Sequence, residues 1–291
     1  MERDSATGWH GWQGNPDDLW PPFGDASRLA VPARPDRRAD ARRDQLAEAA
    51  SRRGQDPGRR DPGQDRGRPR LSREEIVDAA IAIADAEGAE ALSMRRIAQV
   101  LRAGTMSLYW HVTSKEHLLD LMRDMLMAEV EVPDPTGDWQ SDLRTFAMNY
   151  RRMLRRHLWL MDFVGGRPPL GPTTLLNFEA MLATLAVLPI DSDVQLRILE
   201  SVNTYVSGAV LREAQELRAH QAERQAEAEY QGDIPAEREA WRNRLDATGL
   251  FPRFVRFLDL GIDPDAPDTI DARFEFGLDC LLSGIAARLS R

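Results

Sequence analysis

Three features of the sequence predict an all-α fold. From Ile76 to Leu289 the large apolar residues recur three and four positions apart, and no stretch alternates in the manner of a strand. Ser72-Arg73-Glu74-Glu75 has the serine-to-glutamate spacing with which a helix opens, because each side chain can satisfy a free backbone amide of the other. Two short helical patterns meet at Arg102-Ala103-Gly104, a joint too short for anything but a helix-turn-helix. The expected architecture is a disordered tail over 1–68, a three-helix helix-turn-helix domain over 69–131, and a second helical domain over 138–291.

The tail reads as unfolded because it has little to bury. Residues 31–70 hold twelve arginines against seven acids, with few large apolar side chains. Trp9, Trp12, Trp20 and Phe23 fit either a short docking motif or an ordinary aromatic-bearing tail. Arg66, Arg68 and Arg70 form a basic arm against the first helix, suited to a narrow minor groove and equally consistent with a solvated linker.

The first helix should run from the Ser72 cap to Gly88, with Ile76, Ala80, Ile83 and Ala84 inward. Ser93 should cap the second, with Met94, Ile97, Ala98 and Leu101 inward. The third starts at Gly104 or Thr105, and Leu108 and Val112 face the core. Thr105, Met106, Ser107, Tyr109, Trp110 and His111 are left outward. Large aromatics on an exposed helix face are costly unless something covers them. From Ala91 to Lys115 there is no acid, while Arg95, Arg96, Arg102 and Lys115 are cationic. A local cationic patch with exposed hydroxyls and aromatics, in a chain of net charge -9, points to double-stranded DNA as the covering partner. A surface hairpin that binds nothing is the alternative. Thr113 and Glu116 read as a second capping box, opening a fourth helix through Leu118, Leu119, Met122, Met125 and Leu126.

Pro133 to Gly137 marks the boundary between domains. Beyond it, one long amphipathic helix carries Trp139, Leu143, Phe146, Tyr150, Met153 and Leu154 and ends near His157. A turn at 165–172 leads to a helix through Leu185, and a long helix follows from Asp191 or Ser192. Within the long helix, Ser207-Gly208-Ala209 should admit another helix closely. Residues 218–240 read as a solvated helix end plus loop. The last helix carries Phe274, Leu278, Leu281, Leu282, Ile285 and Leu289, a stripe wide enough for core or for a homodimer seam. The seam is favoured, because a helix-turn-helix usually engages two half-sites.

Other classes find little support. The histidines at 10, 111, 117, 157 and 220 form no metal spacing, no glycine loop cradles phosphate, and the lone cysteine, Cys280, falls in the apolar stripe. No enzyme, metal site or cofactor is expected. With no signal peptide or membrane span in the sequence, a cytoplasmic location is.

By its motifs the chain resembles the TetR family of transcriptional regulators. Leu92 to Ala98, Leu101, Ser107-Leu108-Tyr109-Trp110-His111-Val112 and Ser114 to Leu119 carry the family's DNA-binding signature. Asp138-Trp139, Arg156-His157, Arg167-Pro168, Gly208 to Leu211 and Phe274 to Leu278 resemble the tetracycline-repressor type of C-terminal domain. The resemblance implies that 138–291 binds an effector and dimerises. It implies a repressor released from its operator by a small molecule whose identity is unknown. An architectural DNA-binding protein without an effector is the alternative. Carried over by position, Thr105, Met106 and Ser107 would sit at base edges, with Arg95 near bases or phosphates. Tyr109, Trp110, His111 and Lys115 would hold the backbone. Candidate effector contacts are Phe146, Tyr150, Phe163, Arg167, Phe178 and Tyr205. The family's turn glycine is Arg102 here, leaving the turn's conformation open. Phe163 and Arg212 stand where the repressor has metal–tetracycline ligands, so that ligand is not expected.

Overall fold

The structure, a computed structural model, describes residues 71–163, 171–229, 234–260 and 269–290. The expected tail, with Arg66, Arg68 and Arg70, lies outside these residues, as does Arg167. The described residues are helical with no strand. By internal contacts the chain divides into two units, Met1–Asn203 and Thr204–Arg291.

In the first unit, α1 (Arg73–Glu87) opens with the expected box. Ser72 Oγ accepts from Glu75 N at 3.1 Å, and Glu75 Oε2 accepts from Ser72 N at 3.1 Å. The helix is buried more completely than one apolar face requires. Every residue from Ile76 to Ala84 is buried, because α1 packs against the turn at Ala89–Ala91, α2 (Met94–Leu101), α4 (Lys115–Met127) and the turn at Leu158–Phe163. Alanine and isoleucine on all sides make that possible.

The opening of α4 corrects the sequence reading by one residue. Its cap is Ser114, whose Oγ accepts from His117 N at 3.0 Å. Glu116 falls one position too early to close the box. His117 takes its part, with Nδ1 accepting from Thr113 N at 3.2 Å.

The linker before α5 (Trp139–Arg156) is tied down by buried Asp142, which accepts from Thr136 N at 2.9 Å and Thr136 Oγ1 at 2.8 Å. Helix α6 (Pro172–Leu185) is capped from another helix. Asp124 of α4 accepts from Thr174 N at 2.8 Å, Thr174 Oγ1 at 2.9 Å and Thr173 N at 3.3 Å. Asn177 donates to Met127 O at 2.8 Å. A carboxylate at a helix start suits both the free amides and the dipole. Gly171 makes room for it, since a Cβ there would lie 2.2 Å from Asp124 Cγ. Gly171→Ala is therefore expected to displace Asp124 and cost about 1–2 kcal/mol, the scale of a lost cap. Urea denaturation checks this, with Asp124→Ala as the comparison expected to match it.

Helix α7 (Ser192–Glu229) begins in the first unit and continues into the second. It overturns the loop expected within 218–240: the chain is helical to Glu229 and again from Ile234. Alanine, glutamate, glutamine and arginine are all strong helix formers, so low hydrophobicity alone misread them.

The second unit adds α8 (Ile234–Ala247), α9 (Pro252–Asp259) and α10 (Ile270–Leu289). Helices α8 and α9 form a pair, with Trp241 edge-on to Phe254 and Arg242 Nη2 2.6 Å from Asp259. Ile270, Phe274, Leu278 and Leu282 of α10 are buried. Cys280 lies off that stripe and is exposed, contrary to the reading from sequence. Within the chain no atom comes near the Cβ position of Gly208. A close approach inside the chain occurs at Gly277, where a Cβ would collide with the Tyr205 hydroxyl. Tyr205 donates to Phe274 O at 2.7 Å, and Glu216 binds Arg273 at 3.1 and 2.5 Å.

Candidate nucleic-acid interface

The second and third helices form the expected helix-turn-helix. Ser93 Oγ accepts from Arg96 N at 3.2 Å, and α2 ends at Arg102. Helix α3 (Thr105–Tyr109) follows from Gly104. Five residues cannot hold a helix alone. Leu108 and Val112, both wholly buried, anchor it.

That anchoring decides what faces out. Thr105, Met106, Ser107, Tyr109 and Trp110 are all exposed, with Met106 at 75% and Trp110 at 86%, and His111 is half-buried. Lys115, the first residue of α4, is exposed. Arg95 and Arg96 separate cleanly. Arg96 is bound to Glu87 of α1 at 2.5 Å, whereas Arg95 is exposed and makes no ion pair among the described residues. Arg95, Arg102, Thr105 to Ser107, Tyr109, Trp110 and Lys115 are thus exposed, and His111 half-buried, along one short stretch of chain with no acid in it. Hydroxyls, an indole N–H and cations are the donors that phosphates and base edges accept.

Behind this surface lies a buried polar joint that sequence reasoning missed. The last turn of α1 carries two acids, Asp85 and Glu87, and no base. Acids there oppose the helix dipole. Each is met by a basic side chain from elsewhere: Glu87 by Arg96, and Asp85 by His157, whose Nδ1 lies 2.7 Å from Asp85 Oδ1. Trp159 Nε1 donates to the same oxygen at 2.7 Å. The other imidazole nitrogen is 3.3 Å from Glu129 Oε2, which also binds Arg156 at 3.0 Å. Burial pulls the pKa of His157 down. The hydrogen bonds and charges of Asp85 and Glu129 outweigh it, holding the pKa above the ordinary 6.5. Only the pair Arg156-His157 signalled this in sequence, through its place in the resemblance.

Two further contacts tie α4 to later elements. Arg123 donates to Phe163 O at 2.9 Å and stands over the Phe163 ring, and Asp124 caps α6. Of the effector candidates, Phe146 and Tyr150 stack at 5.8 Å on α5, Phe163 lies edge-on to Trp159, and Phe178 is exposed on α6. Tyr205 is held by Phe274 in the second unit. Among the described residues no group of three or more His, Cys, Asp or Glu could hold a metal ion.

Comparison with known proteins accords with this geometry. The family model described as "Bacterial regulatory proteins, tetR family" matches residues 76–122, and "Tetracyclin repressor-like, C-terminal domain" matches 132–289. The chain belongs to the TetR family. It is similar to the HTH-type transcriptional repressor DrrR1 of Streptomyces coeruleorubidus, 33% identical over 75% of this chain and 78% of DrrR1. Among solved structures it resembles apo ActR from Streptomyces coelicolor, with a TM-score of 0.61 and 30% identity over 77% of this chain and 99% of ActR. ActR in complex with actinorhodin aligns with a TM-score of 0.58 and 31% identity over 75% of this chain and 96% of ActR. This TetR-family chain is accordingly a DNA-binding transcriptional regulator. The comparisons favour a ligand-responsive repressor, and nothing in them favours the architectural alternative. Among the described residues no helix is long and apolar enough to cross a membrane.

Proposed function

We propose that this regulator is a cytoplasmic homodimer that represses transcription by placing α3 of each subunit in the major groove, and that a small-molecule effector releases it. The observation that carries this reading is the exposed face of α3, held out by the buried pair Leu108 and Val112. Thr105, Met106 and Ser107, on the first turn, read base edges, and Arg95 reaches bases or phosphates. Tyr109, Trp110, His111 and Lys115 hold the phosphates, and Arg66, Arg68 and Arg70 trail into the minor groove. Residues 69–131 form the reading domain and 138–291 the effector and dimer domain. The expected stripe of Phe274, Leu278 and Leu282 on α10 is core within the chain, so the dimer seam falls to the exposed face of the same helix, which carries Phe276.

The bonds from Arg123 to Phe163 and from Asp124 to α6 support the coupling. A molecule settling against Phe163 or Phe178 would move elements bonded directly to α4; Phe146, Tyr150, Arg167 and Tyr205 remain candidate contacts without such a bond. Each half-site must sit one helical turn from its partner, about 34–36 Å, so a small shift of α4 ends dimer binding. The complex of ActR with actinorhodin supports an effector site of this kind.

The test divides the interface by role. Thr105→Ala and Ser107→Ala are expected to relax sequence preference, by about 1–3 kcal/mol per base pair read. Tyr109→Ala and Lys115→Ala should weaken binding to all duplexes alike, and Lys115→Ala should flatten the salt slope by about one ion per half-site. Binding isotherms on selected and scrambled duplexes over a salt series measure both. Identical behaviour of all four variants would sink the division into reading and holding residues.

A further inference from the structure

The turn of the helix-turn-helix holds the only non-glycine residue with positive φ among those described: Arg102, at φ 54° and ψ 35°. It ends α2 with a pair of hydrogen bonds, Arg102 N to Gln99 O at 3.3 Å and Ala103 N to Ala98 O at 2.9 Å. This is the Schellman arrangement, whose left-handed residue is usually glycine, since a Cβ there crowds the backbone. An arginine there carries a Cβ where glycine would not, and bears the strain of that crowding. Nothing within the fold repays the strain, because Arg102 is exposed and makes no ion pair among the described residues. Strain retained without an internal partner is a mark of a binding position. The surroundings say what would bind. Arg102 lies in the acid-free stretch, three residues before Thr105, where α3 begins.

We propose that Arg102 is a phosphate-binding residue of the DNA interface, clamping the backbone beside the first turn of α3. The proposal rests on the DNA-reading role of α3. Guanidinium suits the task, since it presents a planar fork of donors to phosphate oxygens and cannot lose its charge. Tyr109, Trp110 and Lys115 hold the backbone from the end of α3 onward in the chain. Arg102 adds a contact before its first turn, so the reading turn is pinned at both ends. Because a phosphate contact carries no base information, Arg102 contributes register and affinity but not sequence preference.

The test exploits two effects of opposite sign in the full chain. Arg102→Gly relieves the backbone and should raise Tm by about 3 °C, the shift expected for strain of this size in a domain of this length. It should also weaken binding to a selected operator duplex several-fold. With it the slope of log affinity against log salt should fall by about one ion per half-site. Arg102→Lys keeps the charge, and should retain the slope while losing part of the affinity. A rise in Tm with affinity and slope unchanged overturns the proposal, as does equal loss in the lysine and glycine variants. Tyr109→Ala and Lys115→Ala, measured alongside, separate the two levels. If they weaken binding and Arg102→Gly does not, only the Arg102 contact falls. If none of the three matters, the DNA-reading role of α3 falls, and Arg102 with it.

Discussion

His157→Ala is expected to lower the stability of the full chain by about 3 kcal/mol at pH 6, the scale of breaking a buried ion pair. The imidazole is 3% exposed and faces Asp85 from α1 and Glu129 from the end of α4. Its removal takes one partner each from Asp85, which keeps the Trp159 N–H, and from Glu129, which keeps Arg156. The loss should depend on pH in a definite sense. The folded pKa is raised above 6.5, so the histidine's contribution is complete below that value. It is lost as pH rises through the folded pKa. Urea denaturation of wild type and variant at pH 6 and pH 9 should therefore show a gap that narrows at the higher pH. A gap independent of pH would mean that His157 acts by packing alone.

Leu108→Ala is expected to cost about 3 kcal/mol, within the range for a leucine removed from a packed core. Function should suffer more than that figure suggests. Helix α3 has five residues and no side-chain cap, so its position depends on Leu108 and Val112. With Leu108 truncated, the exposed face loses its orientation, and operator affinity should fall further than stability. Met106→Ala on the same helix is the contrast. At 75% exposed, it should change stability by less than about 0.5 kcal/mol. Denaturation and operator titration of the two variants check the pair. Equal stability losses would mean that α3 is not anchored as described.

Much of this arrangement was legible in local patterns. Ser72 and Glu75, Ser93, Leu108 and Val112 stand as their spacing implied, because caps and helical anchors depend on residues within one or two turns. The failures were of two kinds. Thr113 and Ser114 compete for the same cap, and the choice turned on His117 rather than Glu116, which no spacing rule weighs. The polar stretch at 218–240 lacked apolar residues but not helix propensity, so periodicity missed what composition would have found. Helices α8 and α9 escaped notice because Trp241, Phe251, Phe254 and Phe257 remain about half exposed, leaving no clean buried face to read. The joint at His157 was invisible for a different reason. Asp85 and Glu129 lie 72 and 28 residues before His157 along the chain, so only the fold brings them together.

The site followed the same division. The exposed face of α3 could be read from two anchor residues. The strain at Arg102 could not, since a departure from glycine says nothing of the backbone until φ is known.

The most direct test of the account is a protection footprint of the full chain on a duplex selected from genomic DNA. Two protected half-sites are expected, their centres one helical turn or a whole multiple of it apart, with both lost in Tyr109→Ala at moderate salt. A single unspaced footprint, or one that Tyr109→Ala and Lys115→Ala leave intact, would contradict it.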